Sequence, residues 1–283
     1  MVTTLGAQDL VLCSGTLRRR ASFHERISAA LAGGFAGMSL WGRDYRLARA
    51  EGLGDSDLLA MIEDNGLSVA EMDLAWSWLP GAAEVRIPPA LDDQDVFCFS
   101  EVELFAIART IGARSVNAVD VFGGSWTLDD AAEAFAALCR RAAEHDLLVQ
   151  LEFVPWSRIP DLRTAWEIVK SADQPNGGIT VDSWHYFRGT PDAALLATIP
   201  GQVIVGVQLS DGPALAERDL VQATLHERLL PGDGEMDLRE LLTCLRLAGS
   251  EAPIGVEVFS DALHELEPVE AATRAGEAAR RVL

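Results

Sequence analysis

Short apolar runs alternate with longer amphipathic segments along the chain. The short runs are rich in Val, Ile and Leu, which is typical of strands that are buried on both faces of a sheet. We therefore predict eight strands, at residues 10–14, 37–41, 68–76, 115–122, 147–154, 178–182, 203–209 and 254–259.

The longer segments carry helix start and stop signals. In SFHERISAALAGG a serine precedes the apolar positions and a Gly-Gly pair follows them, while TLDDAAEAFAALCRRAAEHD has a threonine cap, early acids and late arginines. Such charges complement the helix dipole. The same pattern occurs in DLRTAWEIVKSAD, MDLRELLTCLRLAGS and EPVEAATRAGEAARRVL.

Strands and helices that alternate in this way close naturally into a barrel. We predict an α/β fold of the (β/α)8 TIM-barrel type, with residues 1–283 in a single domain. A doubly wound open sheet is the alternative, but CSGTLRRRAS, after the first strand, is a poor phosphate-binding glycine turn. The least regular stretches, 77–96 and 210–236, both follow strands, and we expect them to be loops over the barrel mouth.

Composition narrows the class of protein. The 283 residues carry a formal net charge of -20, which repels phosphate backbones and argues against a nucleic-acid partner. Without a long apolar run or a signal-peptide pattern, we expect a cytoplasmic protein that does not bind membranes. Lys170, the single lysine, lies away from any strand end and does not suit a Schiff base. The cysteines fit reduced thiols because no CxxC motif joins Cys13, Cys98, Cys139 and Cys244.

Polar residues stand at the ends of four successive predicted strands, the fifth to the eighth: Glu152, Asp182, Gln208 and Glu257. In a barrel these ends converge on one site, and buried carboxylates must be paired, neutralised or bound to a metal. One acid at a strand end is usually capped or salt-bridged. Four polar groups on neighbouring strands favour shared binding of a divalent ion, Mn²⁺ or Mg²⁺.

This set, together with His185 in TVDSWH, resembles the metal site of the xylose isomerase-like TIM-barrel superfamily of sugar isomerases and epimerases. RLLPGDGEMDL (228–238) and the following EAPIGVEVFSD strengthen the resemblance, which covers essentially the whole chain. The resemblance implies a metal held by Glu, Asp, His and Glu at the ends of strands 5 to 8. Gln208 stands in the usual histidine position, which is similar to the 3-dehydroshikimate dehydratase branch; that branch also has a pair like Asp182 and His185.

The glutamine favours harder ions, with Co²⁺ or Zn²⁺ as alternatives. Five histidines, of which only His185 is well placed, do not supply the several zinc sites of the DNA-repair endonuclease branch. The dehydratase branch also places an arginine after strand 3, where this chain has LAWSWLP. That difference weakens the case for 3-dehydroshikimate as the substrate.

The resemblance implies proton transfer beside a carbonyl group through an enediolate. Glu152 and Glu257 are the candidates for removing and returning the proton, with His185 as a further catalytic residue. Our leading hypothesis is a metal-dependent isomerase or epimerase of a sugar-like compound. The alternatives are a dehydratase or lyase acting on a cyclic hydroxy-carbonyl compound and a barrel that binds such a ligand without turnover.

Aromatic and basic residues near the strand ends are the candidates for binding the substrate. Aromatic faces suit the C–H faces of sugars and rings. The predicted substrate contacts are His185, Arg228, Trp41, Trp76, Trp156 and Trp184, with Trp78 and Trp126 at the same mouth. Arg158 and Arg188 are weaker candidates than Arg228 for clamping an anionic group. On the early strands, Glu71, Asp73, Asn117 and Asp120 are expected to face the pocket or the barrel layers. By analogy with similar barrels, we also expect a homo-oligomer.

Overall fold

A closed barrel of eight parallel strands forms the centre of the computed structural model, which describes residues 5–85, 96–215 and 219–283. The strands are β1 Leu10–Leu12, β2 Gly37–Trp41, β3 Ser68–Ala75, β4 Ser115–Val119, β5 Leu148–Glu152, β6 Gly177–Asp182, β7 Ile204–Leu209 and β8 Ile254–Val256. Each pairs with the next, and β1 pairs with β8 from Leu10–Ile254 to Leu12–Val256, which closes the sheet. The predicted (β/α)8 TIM barrel is confirmed, and each predicted strand is found.

Helices cover the outside of this barrel. They are α1 Phe23–Ala32, α2 Gly42–Ala50, α3 Asp55–Asp64, α4 Glu101–Thr110, α5 Leu128–Ala143, α6 Leu162–Ala172, α7 Ser183–Arg188, α8 Ala193–Leu196, α9 Leu220–His226, α10 Leu238–Ala248, α11 Asp261–His264 and α12 Pro268–Val282. The five predicted helices are confirmed as α1, α5, α6, α10 and α12. Their starts follow the sequence signals: Ser22 Oγ and Thr127 Oγ1 each accept a hydrogen bond from a backbone N–H in the first turn, both at 3.2 Å.

Sequence patterns did not single out α3 and α4. The signal for α4 is present, since Ser100 Oγ accepts a hydrogen bond from Glu103 N at 3.3 Å in a capping box. The stretch 210–236 is also more regular than predicted, because it contains α9. Of the predicted loop 77–96, residues 86–95 lie outside the described residues, as do 216–218 of the second stretch.

The apolar core fills the space between the barrel and its helices. Large side chains from the helices, such as Phe23 and Phe135, are almost fully buried there, as is Phe153 just past β5. Within the described ranges, no helix combines the length and the apolar character needed to cross a membrane. Buried polar side chains lie in two places inside the barrel, at its carboxyl-terminal mouth and in the interior layer beneath the mouth.

Candidate metal and substrate site

Five polar side chains meet at the carboxyl end of the barrel, and we call them the mouth cluster: Glu152, Asp182, His185, Arg228 and Glu257. Glu152 and Asp182 are the last residues of β5 and β6, and Glu257 directly follows β8. Each of the five is no more than 7% exposed. The barrel topology therefore brings together polar groups from distant parts of the chain.

Asp182 both ends β6 and caps α7, which explains the spacing in TVDSWH. Its Oδ1 accepts hydrogen bonds from the backbone N of Trp184 at 2.6 Å and of His185 at 3.3 Å. His185 therefore lies in the first turn of the helix, close to the strand ends. Its Nε2 is 3.5 Å from Glu152 Oε1 and 4.0 Å from Asp182 Oδ2.

Glu152, Asp182 and His185 form a group that can hold a metal ion. Each offers one ligand atom, and these atoms lie within 4.8 Å of one another. Burial lowers the pKa of His185 to about 4, so the ring is neutral near pH 7 and has a lone pair for a metal. Carboxylate and imidazole donors in one buried site suit a divalent ion. The residues therefore fit the metal that the sequence predicts.

Arg228 is the cation of the mouth cluster. Its Nη1 donates a hydrogen bond to Asp182 Oδ2 at 2.8 Å and lies 3.5 Å from Glu257 Oε2, while its Nε donates to the backbone O of Thr224 at 3.1 Å. Burial opposes the ionisation of Asp182, but Arg228 and His185 outweigh it and lower its pKa overall. One arginine faces three carboxyl groups, so the cluster holds more acids than cations, and a divalent cation would favour the ionised form of all three.

The two glutamates of the cluster differ from Asp182 in their acidity. Burial, together with the charge of Asp182, raises the pKa of Glu152 to about 8. Burial also raises the pKa of Glu257 well above its usual range, although Arg228 opposes the shift. Asn117 Nδ2 donates a hydrogen bond to Glu152 Oε2 at 2.6 Å and holds that carboxyl group in place. Both glutamates therefore bind a proton at higher pH than exposed glutamates do, as groups that exchange protons with a substrate must.

A cavity of about 690 Å³, counted with its part open to solvent, adjoins the mouth cluster. Glu152, His185, Arg228 and Glu257 line its polar side. The apolar side consists of Leu74, Val96, Phe97, Val119, Val121, Val154, Leu225 and Phe259. This size and this division suit a small organic molecule that has one polar end and one apolar or flat face.

Two of the four tryptophans predicted to contact the substrate line this cavity. Trp41 donates a hydrogen bond from Nε1 to Asp73 Oδ2 at 3.1 Å, and the ring centroid of Trp156 lies 5.7 Å from that of His185. Both are placed to contact a bound molecule beside the mouth cluster.

The other tryptophans lie behind the cavity wall or in the core. Trp184 is fully buried and donates to Thr224 Oγ1 at 2.7 Å, so it has no surface to offer a substrate. Trp76 packs edge-on against Phe97, which itself lines the cavity. The two predicted at the same mouth, Trp78 and Trp126, are buried. Some tryptophans near the strand ends therefore line the cavity, whereas the others pack in the structure around it.

A family model for xylose isomerase-like TIM barrels matches residues 27–282. The chain belongs to this family. The resemblance inferred from the strand-end residues is thereby confirmed.

Curated relatives of this xylose isomerase-like barrel include two kinds of enzyme. A 3-dehydroshikimate dehydratase of Pseudomonas aeruginosa is 35% identical over 131 residues, which is 46% of this chain and 20% of that protein. An inosose isomerase of Bacillus velezensis is 25% identical over 182 residues, 62% of this chain and 64% of that protein. The matched segment thus spans only a fifth of the length of the dehydratase.

Solved structures share the fold at low sequence identity. The IOLI protein with a bound zinc atom is 17% identical, with a TM-score of 0.81 and 97% of both chains covered. The probable 3-dehydroshikimate dehydratase AsbF from Bacillus anthracis is 16% identical, with a TM-score of 0.70 and coverage of 96% of this chain and 98% of that one. These likenesses support the barrel architecture.

Gln208, the remaining predicted ligand, belongs to a second polar group inside the barrel. Its Nε2 donates a hydrogen bond to Glu71 Oε1 at 2.9 Å, and Gln150 Nε2 donates to Glu71 Oε2. We call Glu71, Gln150 and Gln208 the inner cluster. Gln208 Oε1 is buried and has no hydrogen-bond partner among the described residues. The sequence pointed to Gln208 itself but not to its contact with Glu71.

The polar residues of β3 and β4 were expected to face either the pocket or the interior layers of the barrel, and both locations are found. Asp73 and Asn117 line the cavity, and Glu71 lies in the inner cluster. Asp120 instead accepts a hydrogen bond from Gly123 N at 2.8 Å, which stabilises the turn after β4.

Two of the candidate clamp arginines make contacts of their own. Arg158 donates to the backbone O of Trp126 at 2.8 Å, and Arg188 donates to that of Pro213 at 2.9 Å. Arg228 is the one of the three predicted arginines that the structure places in the cavity lining.

Proposed function

We propose that this xylose isomerase-like barrel is a divalent-metal-dependent isomerase or epimerase of a polyhydroxylated carbonyl compound. The observation that carries the proposal is the mouth cluster: three buried carboxylates and an imidazole beside a cavity with an apolar wall. The family membership and the activities of the relatives, an inosose isomerase among them, support the same class of reaction.

The proposed metal is Mn²⁺ or Mg²⁺, with Co²⁺ or Zn²⁺ as alternatives. Glu152, Asp182, Gln208 and Glu257 would hold it, and His185 lies close enough to Glu152 and Asp182 to be a further ligand. When bound, such an ion polarises a carbonyl oxygen and offsets the negative charge that develops on it.

The protein's own residues would then move the proton. One of Glu152 and Glu257 takes the proton from the carbon beside the carbonyl group. The C–H electron pair forms a C=C bond to the carbonyl carbon, and the C=O π electrons move onto the carbonyl oxygen. The other glutamate returns a proton, because the two groups reach the cavity from β5 and from the end of β8, on different sides of the barrel. Return to the opposite face of the same carbon gives an epimer. Return to the former carbonyl carbon gives an aldose–ketose isomer when the neighbouring hydroxyl also passes its proton to the former carbonyl oxygen and becomes the new carbonyl group.

Other cavity residues would hold the substrate. Arg228 is proposed to donate to a substrate oxygen, and Trp41 and Trp156 to pack against the apolar face of the molecule. Asn117, through its hydrogen bond to Glu152 Oε2, fixes the direction in which that carboxyl group meets the substrate.

Dehydration of a cyclic hydroxy-carbonyl compound is the second candidate. The 35% identity to a 3-dehydroshikimate dehydratase favours it. In this reaction a base takes the α-proton, the C–O bond to the β-hydroxyl breaks, and the departing oxygen receives a proton. His185 lines the cavity beside Glu152 and would serve as that base or acid.

Incubation in deuterated water with Mn²⁺ separates these reactions. The panel contains ketoses, inosose-type rings and 3-dehydroshikimate. Exchange at the α-carbon without loss of water supports isomerisation or epimerisation, while a new conjugated absorbance supports dehydration. Exchange should disappear in Glu152→Gln and persist in Glu251→Gln, a matched change at an exposed glutamate. Neither exchange nor elimination with any compound, in protein shown to contain the ion, would contradict the proposal.

A further inference from the structure

Glu71 is a buried carboxylate inside the barrel to which the proposed reaction gives no part. It lies on β3, and both of its oxygens accept hydrogen bonds from glutamine side chains, Gln208 on one side and Gln150 on the other. Because both oxygens of Glu71 act as acceptors, each of them faces the nitrogen end of an amide and not the oxygen end. Glu71 therefore determines which way the Gln208 amide faces.

The orientation of Gln208 leaves its oxygen for another partner. Gln208 is 2% exposed, and its Oε1 has no hydrogen-bond partner among the described residues. A buried amide oxygen is normally satisfied, and one that is not marks a place where a donor or an ion binds.

The backbone position of Gln208 places it beside Asp182 of the mouth cluster in the sheet. Gln208 on β7 is the register partner of Asp182 on β6, so both side chains leave neighbouring strands on the same face, inside the barrel. Gly255 on β8 leaves room for the Gln208 side chain, because a Cβ at that position would lie 3.3 Å from Gln208 Cγ and 2.7 Å from Cys13 Sγ.

We propose that Glu71 is a positioning residue, which acts through Gln208 by holding its amide with the oxygen turned toward the metal of the mouth cluster. The inference rests on the proposed function, because it needs a metal at that site. Partners of this kind, one step removed from the ion, typically change metal affinity 10–100-fold when they are lost, on the order of one to two decades.

Titration of the full chain with MnCl₂, followed by calorimetry and by the electron paramagnetic resonance signal of free Mn²⁺, tests the role of Glu71. Glu71→Met removes both acceptor oxygens at similar size, and we expect it to weaken Mn²⁺ binding about 10–100-fold. Glu71→Gln keeps one oxygen for the Gln208 amide nitrogen, and we expect it to restore affinity to within about 3-fold of the native protein. Equal losses in the two variants would mean that charge, not orientation, is what matters, and would overturn the proposal.

Gln150→Met is the matched control, because it breaks the other half of the inner cluster and leaves the contact between Glu71 and Gln208 in place. It should lower the Tm to a similar extent as Glu71→Met without changing Mn²⁺ affinity more than about 3-fold. In a Gln208→Leu background, Glu71→Met should weaken binding no further. Should Glu71→Met not fold, Glu71→Ala, which leaves room for water beside both amides, takes its place.

Asp182→Asn, titrated in parallel, separates failure of this inference from failure of the proposed function. Loss of Mn²⁺ binding in Asp182→Asn with native affinity in Glu71→Met overturns the role of Glu71 and leaves the metal site intact. Native affinity in both Asp182→Asn and Gln208→Leu overturns the metal site, and the role of Glu71 with it.

Discussion

The mouth cluster and the inner cluster are both buried polar groups in one barrel, but their balance of donors and acceptors differs. In the inner cluster one carboxylate accepts from two amide nitrogens, so Glu71 is satisfied by the protein alone. In the mouth cluster Arg228 contacts two of the three carboxylates, Asp182 and Glu257, and Glu152 and Glu257 line a cavity. A buried acid whose donors are all supplied by the fold needs no ligand of its own, whereas acids that outnumber their donors beside a cavity indicate a ligand.

The pKa shifts of the carboxyl groups reflect the same difference in the number of donors. Burial raises the pKa of Glu71, and the hydrogen bonds from Gln208 and Gln150 oppose the shift. At the mouth, Glu152 has Asn117 as a donor but also faces the charge of Asp182, and its pKa reaches about 8. If the mouth cluster binds a cation, its carboxylates should respond to substitution differently from Glu71.

The largest effect is expected for Asp182→Asn. The change removes a proposed metal ligand and leaves Arg228 buried without its closest charged partner, so stability should fall by about 3–5 kcal/mol and Mn²⁺ binding should be lost. Denaturant unfolding and metal titration measure the two effects. Asp161→Asn is the control, because Asp161 also caps a helix, accepting from Thr164 N at 2.9 Å, but lies outside the cluster; it should cost less than about 1 kcal/mol. Similar losses in the two variants would show that Asp182 acts only as a cap.

Glu152→Gln should lower activity without lowering stability. Loss of the proton carrier should lower kcat about 10²–10⁴-fold. The metal-free variant should be at least as stable as the native protein at pH 7, because Glu152 with a pKa of about 8 must take up a proton on folding, whereas an amide is neutral in both states. The amide also still offers Asn117 an oxygen. Comparison of Tm without metal and of kcat with metal checks both parts. A large drop in the Tm of the metal-free variant would mean that Glu152 serves mainly to stabilise the fold.

Trp156→Phe should have a moderate effect on substrate binding. Trp156 lines the cavity beside His185, and loss of part of its ring should raise KM about 5–10-fold, the equivalent of roughly 1 kcal/mol of aromatic contact, with little change in kcat. Trp76→Phe is the comparison, since Trp76 packs behind Phe97. An equal rise in KM for both variants would place the substrate elsewhere.

Thiol labelling perturbs the protein least, because it needs no substitution, and it shows whether the inner cluster is accessible to solvent. Cys13 is buried next to Glu71, and burial, followed by the charge of Glu71, raises its pKa well above the usual range. Cys98 is exposed. Iodoacetamide should therefore modify Cys98 at least about 100-fold faster than Cys13 in the folded protein. Comparable rates, read by mass spectrometry, would mean that the inner cluster opens to solvent.

The sequence predicts the fold well because apolar runs and helix caps are local signals. It also predicts which strand ends carry acids, since barrel topology brings those ends together whatever the side-chain geometry. The surroundings of Asp182 show what strand order alone does not predict. Its capping of α7 turns His185 back toward Glu152, and that contact depends on hydrogen bonds rather than on strand order.

Side-chain contacts across the barrel could not be predicted from the sequence pattern. The hydrogen bond from Gln208 to Glu71 joins residues 137 positions apart, and nothing in either strand marks the pair. Trp184 shows the same limit, because a residue just past a strand end can face the cavity or the core, and packing against Arg228 and Thr224 placed it in the core.

The most direct test of the account is anomalous diffraction from crystals of the protein grown with Mn²⁺. We predict a single strong peak inside the mouth cluster, contacted by oxygens of Glu152, Asp182 and Glu257 and by Gln208 Oε1. A map without a peak there, with Asp182 still bound to Arg228 at saturating Mn²⁺, would contradict the central claim that the excess of buried carboxylates at the barrel mouth exists to hold a metal.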